Sequence, residues 1–133
     1  MVHEHQSPYG VDETVDKIIS NAKSIGWVVS GVKKLDKSVK KHGGLDLPAI
    51  RLIDLCNAQH AGNILSHDNE RYASVMMPCT VSVYQKSDGN TYVTHIRADK
   101  MGPMMGGEVA KVMKEVAVDQ DKLLGFLLKD TTF

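Results

Sequence analysis

Cys56, Asn57 and His60 fall within five residues of one another, in the run Leu55-Cys56-Asn57-Ala58-Gln59-His60. Asparagine is a strong helix N-cap, so this spacing predicts a helix that opens just after Asn57. Cys56 then sits one residue before the cap, with its sulfur near the unpaired N–H groups of the first turn. Those donors and the helix dipole favour a thiolate over a thiol. His60, at the third helical position, points back toward the same end. A neutral imidazole there can take the thiol proton, which makes Cys56 and His60 the candidate catalytic pair. Alternatively, both side chains can ligate one soft metal. A plainer account also stands: cysteine at a strand end is often a small buried hydrophobe, and a histidine is often only polar.

Other soft or titratable side chains extend this set. Cys79 is the second of two cysteines, and Met76, Met77, Met101, Met104 and Met105 lie just before its segment and just after the following hairpin. Thioethers beside thiolates and imidazoles suit copper(I), or a non-covalent haem with a His, Cys or Met axial ligand. Methionines also fill irregular gaps in cores and subunit seams. The ligand-binding candidates are therefore Cys56, Asn57, His60, Cys79, Met104 and Met105, with Cys56, His60 and Cys79 as the metal set. No Cys-x-x-Cys-His run is present, which rules out the common covalent haem attachment. His67 and His95 are further imidazoles that a pocket can recruit. Met1-Val2-His3 spaces an imidazole third from an amine, a copper or nickel chelate if Met1 is retained, and otherwise a solvated tail. The cluster Lys33, Lys34, Lys37, Lys40 and Lys41 reads as a solvated face rather than an anion site.

The elements that must position these groups follow from periodicity. Val15, Ile18, Ile19, Ala22 and Ile25 recur at helical spacing from Asp12, which is placed to cap, and Gly26 suits the exit. Trp27-Val28-Val29 reads as a strand and Asp36 to His42 as a short helix stopped by Gly43-Gly44. Pro48 to Cys56 alternates as a strand, with Arg51, Ile53 and Leu55 on one face and Ile50, Leu52, Asp54 and Cys56 on the other. Ser66 to Ser74 is a polar connection. Cys79–Lys86 and Thr91–Arg97 flank Ser87-Asp88-Gly89-Asn90, a firm hairpin signal. After the loop Met101–Gly107, a final helix carries Val109, Val112, Met113, Val116, Leu123 and Leu124, with Gln120 breaking the stripe. The expected order is (β)-α-β-α-β-α-β-β-α, with residues 1–10 a flexible segment or short edge strand and 11–133 one α+β domain.

Composition sets the limits. The chain has 133 residues, 42% hydrophobic and 24% charged, enough for a core without staples. Lys+Arg and Asp+Glu number 16 each, which argues against nucleic acid as a partner. No apolar run approaches a membrane span, and the N-terminus has no signal-peptide pattern, so the expectation is a cytoplasmic protein with free thiols and no membrane insertion.

Leu55-Cys56-Asn57-Ala58, Ala61 and then Met77-Pro78-Cys79-Thr80-Val81-Ser82-Val83-Tyr84 resemble the domain-of-unknown-function 302 family. Its members carry a Cys-Asn-Pro turn, a Leu-Pro-Cys step and a Val-Tyr-Glu strand. Thr14-Val15, Gly26-Trp27 and Met104 to Ala110 are also similar, so the likeness spans about residues 10 to 128. It departs at Ala58, where the family usually has proline, and at Ile96-Arg97-Ala98, where many members have Asp-Pro. The resemblance implies a TATA-binding-protein-like α+β fold, a homodimer, and one region containing Cys56 and Cys79; it implies no activity.

Three functions are compatible with these residues. The first is a homodimeric binding module holding a soft metal, haem or small sulfur-containing ligand near Cys56. The second is an enzyme of sulfur transfer or thiol redox chemistry, with Cys56 as thiolate, His60 as base and Cys79 as resolving thiol. The third is a structural or regulatory interaction domain in which both cysteines are core.

Overall fold

The computed structural model describes residues 1–128 and 130–133. In chain order the elements are β1 (Val2–Ser7), α1 (Val11–Ser24), β2 (Val28–Lys34), α2 (Leu35–Gly43), β3 (Ile50–Cys56) and α3 (Ala58–Leu65). A 3-10 segment (Asp68–Met76), β4 (Cys79–Gln85), β5 (Thr91–Ile96), α4 (Ala98–Met101), a 3-10 turn (Gly102–Met104), α5 (Gly107–Leu124) and β6 (Asp130–Thr132) complete the chain. The strands form one antiparallel sheet in the order β2-β3-β4-β5-β1-β6. The α+β expectation holds, and the expected order of elements is met from α1 to β5; the 3-10 segment before β4, α4 and β6 are additions to it.

Alternation along the strands separates the two faces of the sheet. Ile53, Leu55, Val81, Val83 and Val93 are buried against α1 and α5, where Val15, Ile18, Val109, Val112, Val116 and Leu123 complete the core. The other face keeps a polar cross-strand set: Thr80 Oγ1 donates to Asp54 Oδ1 at 2.9 Å, and Lys33 Nζ pairs with Asp54 Oδ2 at 3.2 Å. Asp36, buried on α2, accepts from the Ile50 N–H at 3.1 Å and pairs with Arg51 Nη1 at 2.6 Å, which ties α2 to β3. Burial would raise the Asp36 pKa, but the Ile50 N–H and the Arg51 guanidinium overcome it and hold the carboxyl below its ordinary value.

Several local expectations are corrected. Residues 1–10 are not a flexible tail: Val2–Ser7 is an inner strand, paired with β5 on one side and β6 on the other. Its polar composition conceals this because Ser7 is satisfied internally, with its Oγ 2.6 Å from Thr14 Oγ1 on α1. Asp12 does not cap α1; Gly10 occupies that position, and Asp12 and Glu13 fill the first turn instead. The strand at Trp27 starts one residue later and runs on through Gly31, where a bulge absorbs the break in alternation. The loop after β5 contains α4, and Gly102 there lets it approach α5: an added Cβ would meet Ala110 Cα and Met113 Cβ, each at 3.0 Å.

Gln120, which interrupts the apolar stripe of α5, is buried for a reason. Its Nε2 donates to Ile96 O at 3.0 Å and its Oε1 accepts from the Ala98 N–H at 3.1 Å. One amide thus satisfies the backbone where β5 ends and α4 begins. A proline at position 98 would have no N–H to give.

Candidate functional site

The strand-to-helix turn forms as its residue types predict. Asn57 caps α3, its Oδ1 accepting from the His60 N–H at 3.0 Å. On the neighbouring strand, Cys79 is the cross-strand partner of Leu55, which places it beside the end of β3 where Cys56 leads into the turn. Cys56, Asn57, His60 and Cys79 line one cleft between this strand end, α3 and α5, together with Trp27, Leu55 and Ile64. The cavity within the cleft is only about 30 Å³. That is room for about one water-sized group, far below the ~300–1,000 Å³ of pockets that take organic ligands.

The methionines of the cleft are not the ones expected. Met76, Met77 and Met113 line it. Met104 is 74% exposed on the 3-10 turn, and Met105 packs half-buried against the core, its carbonyl accepting from Tyr72 Oη. The reason lies in the chain path. Met76 and Met77 lead directly into Pro78-Cys79, whereas Met104 ends the 3-10 turn that packs on α5 through Gly102. Met113 is the addition that residue-level reasoning misassigned, since it reads as one more apolar position of α5.

His60 is held by acidic groups of α5 rather than by a thiol. Its Nε2 lies 3.3 Å from Asp119 Oδ2, and Asp119 Oδ2 also accepts from Trp27 Nε1 at 3.0 Å. Its Nδ1 is 3.5 Å from Glu115 Oε2, within ion-pair range, and that nitrogen is buried without a hydrogen bond. Nothing in the sequence spacing marks Asp119, since it lies far along the chain and on a helix whose other face is core. Trp27, buried to 3%, is the link: a buried indole N–H needs an acceptor, and Asp119 supplies it.

Both thiols are free and half-buried. Burial, followed by the neighbouring Cys56, pushes the Cys79 thiol up to about 11. Cys79 is therefore a protonated, poorly nucleophilic thiol near neutral pH, which bears directly on any role as a resolving cysteine. Among the described residues, no group of three His, Cys, Asp or Glu side chains is already arranged to surround a metal ion. No helix among them is long and apolar enough to cross a membrane. The remaining candidates lie elsewhere. His67 is exposed at the start of the 3-10 segment, while His95 is buried on β5 and faces a separate cavity. The Met1-Val2-His3 chelate would need backbone nitrogens of β1, whose strand is paired on both sides.

Fold and site together define a small antiparallel α+β domain with an apolar, two-cysteine cleft at a strand-to-helix turn. The family model of DUF302, a domain of unknown function, matches residues 3–127, and the chain belongs to that family. The chain is also similar to the crystal structure of an uncharacterized conserved DUF302 protein from Bacillus stearothermophilus, with a TM-score of 0.82 at 19% identity. That match covers 95% of this chain and 98% of the other, and at this identity it speaks to the fold alone. No curated protein matches the chain.

Proposed function

We propose that the protein is a binding module whose Cys56–Cys79 cleft takes a soft monovalent metal ion, copper(I) being the fitting species. The observation that carries this reading is that both thiols line one apolar cleft beside Met76 and Met77. Thiolate and thioether donors select copper(I) over harder ions, and two thiols are enough to start its coordination. Two adjacent buried thiolates would repel each other, as the raised Cys79 pKa reflects, and a cation between them removes that repulsion. His60 lines the same cleft, but both of its ring nitrogens face α5 carboxylates, so the reading rests on the two thiols and the methionine thioethers.

The thiol-enzyme reading gains less support. Its resolving thiol would start protonated, and both nitrogens of its proposed base lie against α5 carboxylates. A porphyrin is a poor match for a cleft of this volume with Val112 and Val116 in its wall. The homodimer is part of the proposal through the family resemblance, with the sheet face opposite the helices, where Val28 and Ile96 are exposed, as its seam.

Anaerobic competition of the reduced chain against a chromophoric copper(I) chelator tests the reading. One ion bound per chain, lost in Cys56→Ser and in Cys79→Ser, is expected. Absence of uptake by the reduced wild-type chain overturns it.

A further inference from the structure

A second cluster lies on the helix-covered face of the sheet, on the neighbouring strands β5 and β1. His3 and His5 on β1 and His95 on β5 share one side of the sheet, since His3 is the cross-strand partner of His95 and His5 follows two residues on. The rings of His5 and His95 stack with centroids 5.3 Å apart and planes 15° apart, and His3 lies 5.8 Å from His95 and 6.4 Å from His5. Their Nε2 atoms face each other at 3.2 Å. All three rings line an open cavity of about 360 Å³, whose lining includes Gln120, Asp121 and Leu124 of α5 and Leu127.

We propose that His5 and His95 form the bite of a divalent transition-metal site, taking zinc(II), nickel(II) or copper(II), with His3 as the adjacent third imidazole. The argument is geometric. Two nitrogens 3.2 Å apart, each at the ~2.0–2.1 Å of a metal–imidazole bond, subtend about 100° at the ion. That angle is close to tetrahedral and also admits the cis positions of a square-planar or octahedral ion. Imidazole is the donor that zinc, nickel and copper share, whereas the soft thiols of the other cleft select copper(I).

In the metal-free pair, one Nε2–H donates to the other Nε2, and a bound ion takes the place of that proton. That proton leaves for Nδ1 of the same ring or for solvent, and each ring ligates through Nε2. Arg97, in the lining, is already paired with Asp99 at 3.1 Å and Asp121 at 2.5 Å. Among the described residues, three protein donors do not yet surround one point. Two preset nitrogens with water or His3 completing the shell correspond to a site of modest affinity, open to exchange through the cavity mouth.

The site is independent of the copper(I) proposal, and the test keeps the two apart. The untagged Cys56→Ser/Cys79→Ser chain is titrated calorimetrically with zinc(II), and copper(II) is added separately for electron paramagnetic resonance. One zinc per chain and nitrogen hyperfine splitting from at least two imidazoles are expected, with zinc affinity falling tenfold or more in His5→Gln. His5→Gln is the primary variant because His5 is half-buried, whereas replacing the buried His95 risks the fold. If the double serine background does not fold, the wild-type chain is compared with His5→Gln, and the zinc stoichiometry should fall by one. No zinc uptake, or uptake unchanged by His5→Gln in a chain with native circular dichroism, overturns the proposal.

Discussion

Raising the pH should reveal Cys79 as the slower of two thiols, and the size of the effect can be worked through. The shift from 9.0 to about 11 cuts the thiolate fraction near neutral pH about 100-fold, since each unit is a factor of ten. A thiolate of higher pKa is intrinsically more nucleophilic, with a Brønsted slope of ~0.4–0.5, which returns a factor of roughly 6 to 10. Cys79 should therefore alkylate about 10-fold more slowly than an unperturbed thiol at pH 7.5, before any loss of access. Access lowers the rate by the same factor at every pH, so the bend in the rate profile is the diagnostic feature. Iodoacetamide labelling of the native chain, quenched and read peptide by peptide in a mass spectrometer, gives that profile from pH 7 to 11. The Cys79 rate should keep climbing tenfold per unit beyond pH 9, and in Cys56→Ser it should bend lower but still above 9, because burial is the larger cause. A plateau below pH 9 in the wild-type chain would refute the burial argument.

Five further outcomes follow from the geometry. An acid whose folded pKa exceeds its unfolded value stabilises the fold below the unfolded pKa, so Cys79 should cost roughly 3 kcal/mol as pH rises from 9 to 11, readable as falling urea midpoints that Cys79→Ala abolishes. Asp36 has the opposite sign: its depressed pKa gives stability that is present above pH 3.8 and lost as pH falls through the folded value. Asp36→Ala should cost ~1–3 kcal/mol in chemical denaturation, because the half-buried Arg51 and the Ile50 N–H lose their acceptor. Gln120→Leu should cost at least ~1–3 kcal/mol for each backbone group it orphans at Ile96 and Ala98, seen as a lower Tm with α4 amides exchanging first. Gly102→Ala, which forces a methyl against Ala110 and Met113, should lower stability by ~1–3 kcal/mol, whereas Gly62→Ala on α3 meets nothing and should not.

Local signals carried most of the fold. Val15, Ile18 and Ala22 declare α1, Asn57 declares the start of α3, and Asp88-Gly89 declares the hairpin, because each rests on contacts within a few residues. What escaped depends on partners distant in sequence. β1 is polar by composition and is recruited as an inner strand only because β5 and β6 flank it and Thr14 satisfies Ser7. β6 has three residues and no pattern of its own. Gln120 looks like an error in an apolar stripe until Ile96 and Ala98 are seen across from it.

The candidate site divides in the same way. Cys56, Asn57 and His60 were legible as one turn, and Cys79 joins them through the β3–β4 register. The methionine assignment failed because nearness in sequence to a glycine-rich loop says nothing about which side of α5 that loop occupies. His60 was expected to serve the thiol, but Asp119 and Glu115, one helical turn apart on α5, hold its ring. The His5–His95 pair arises only from strand register, so no spacing rule could show it.

The central claim is that Cys56 and Cys79 hold a soft ion together, and one titration tests it most directly. Reduced wild-type chain and the Cys56→Ser and Cys79→Ser variants compete anaerobically with a copper(I) chelator at pH 7 and at pH 8. The account predicts one ion per wild-type chain, with affinity rising at least tenfold per pH unit because at least the Cys79 proton must leave, and loss of that ion in both variants. Equal uptake by wild type and both serine variants, or affinity independent of pH, would contradict it.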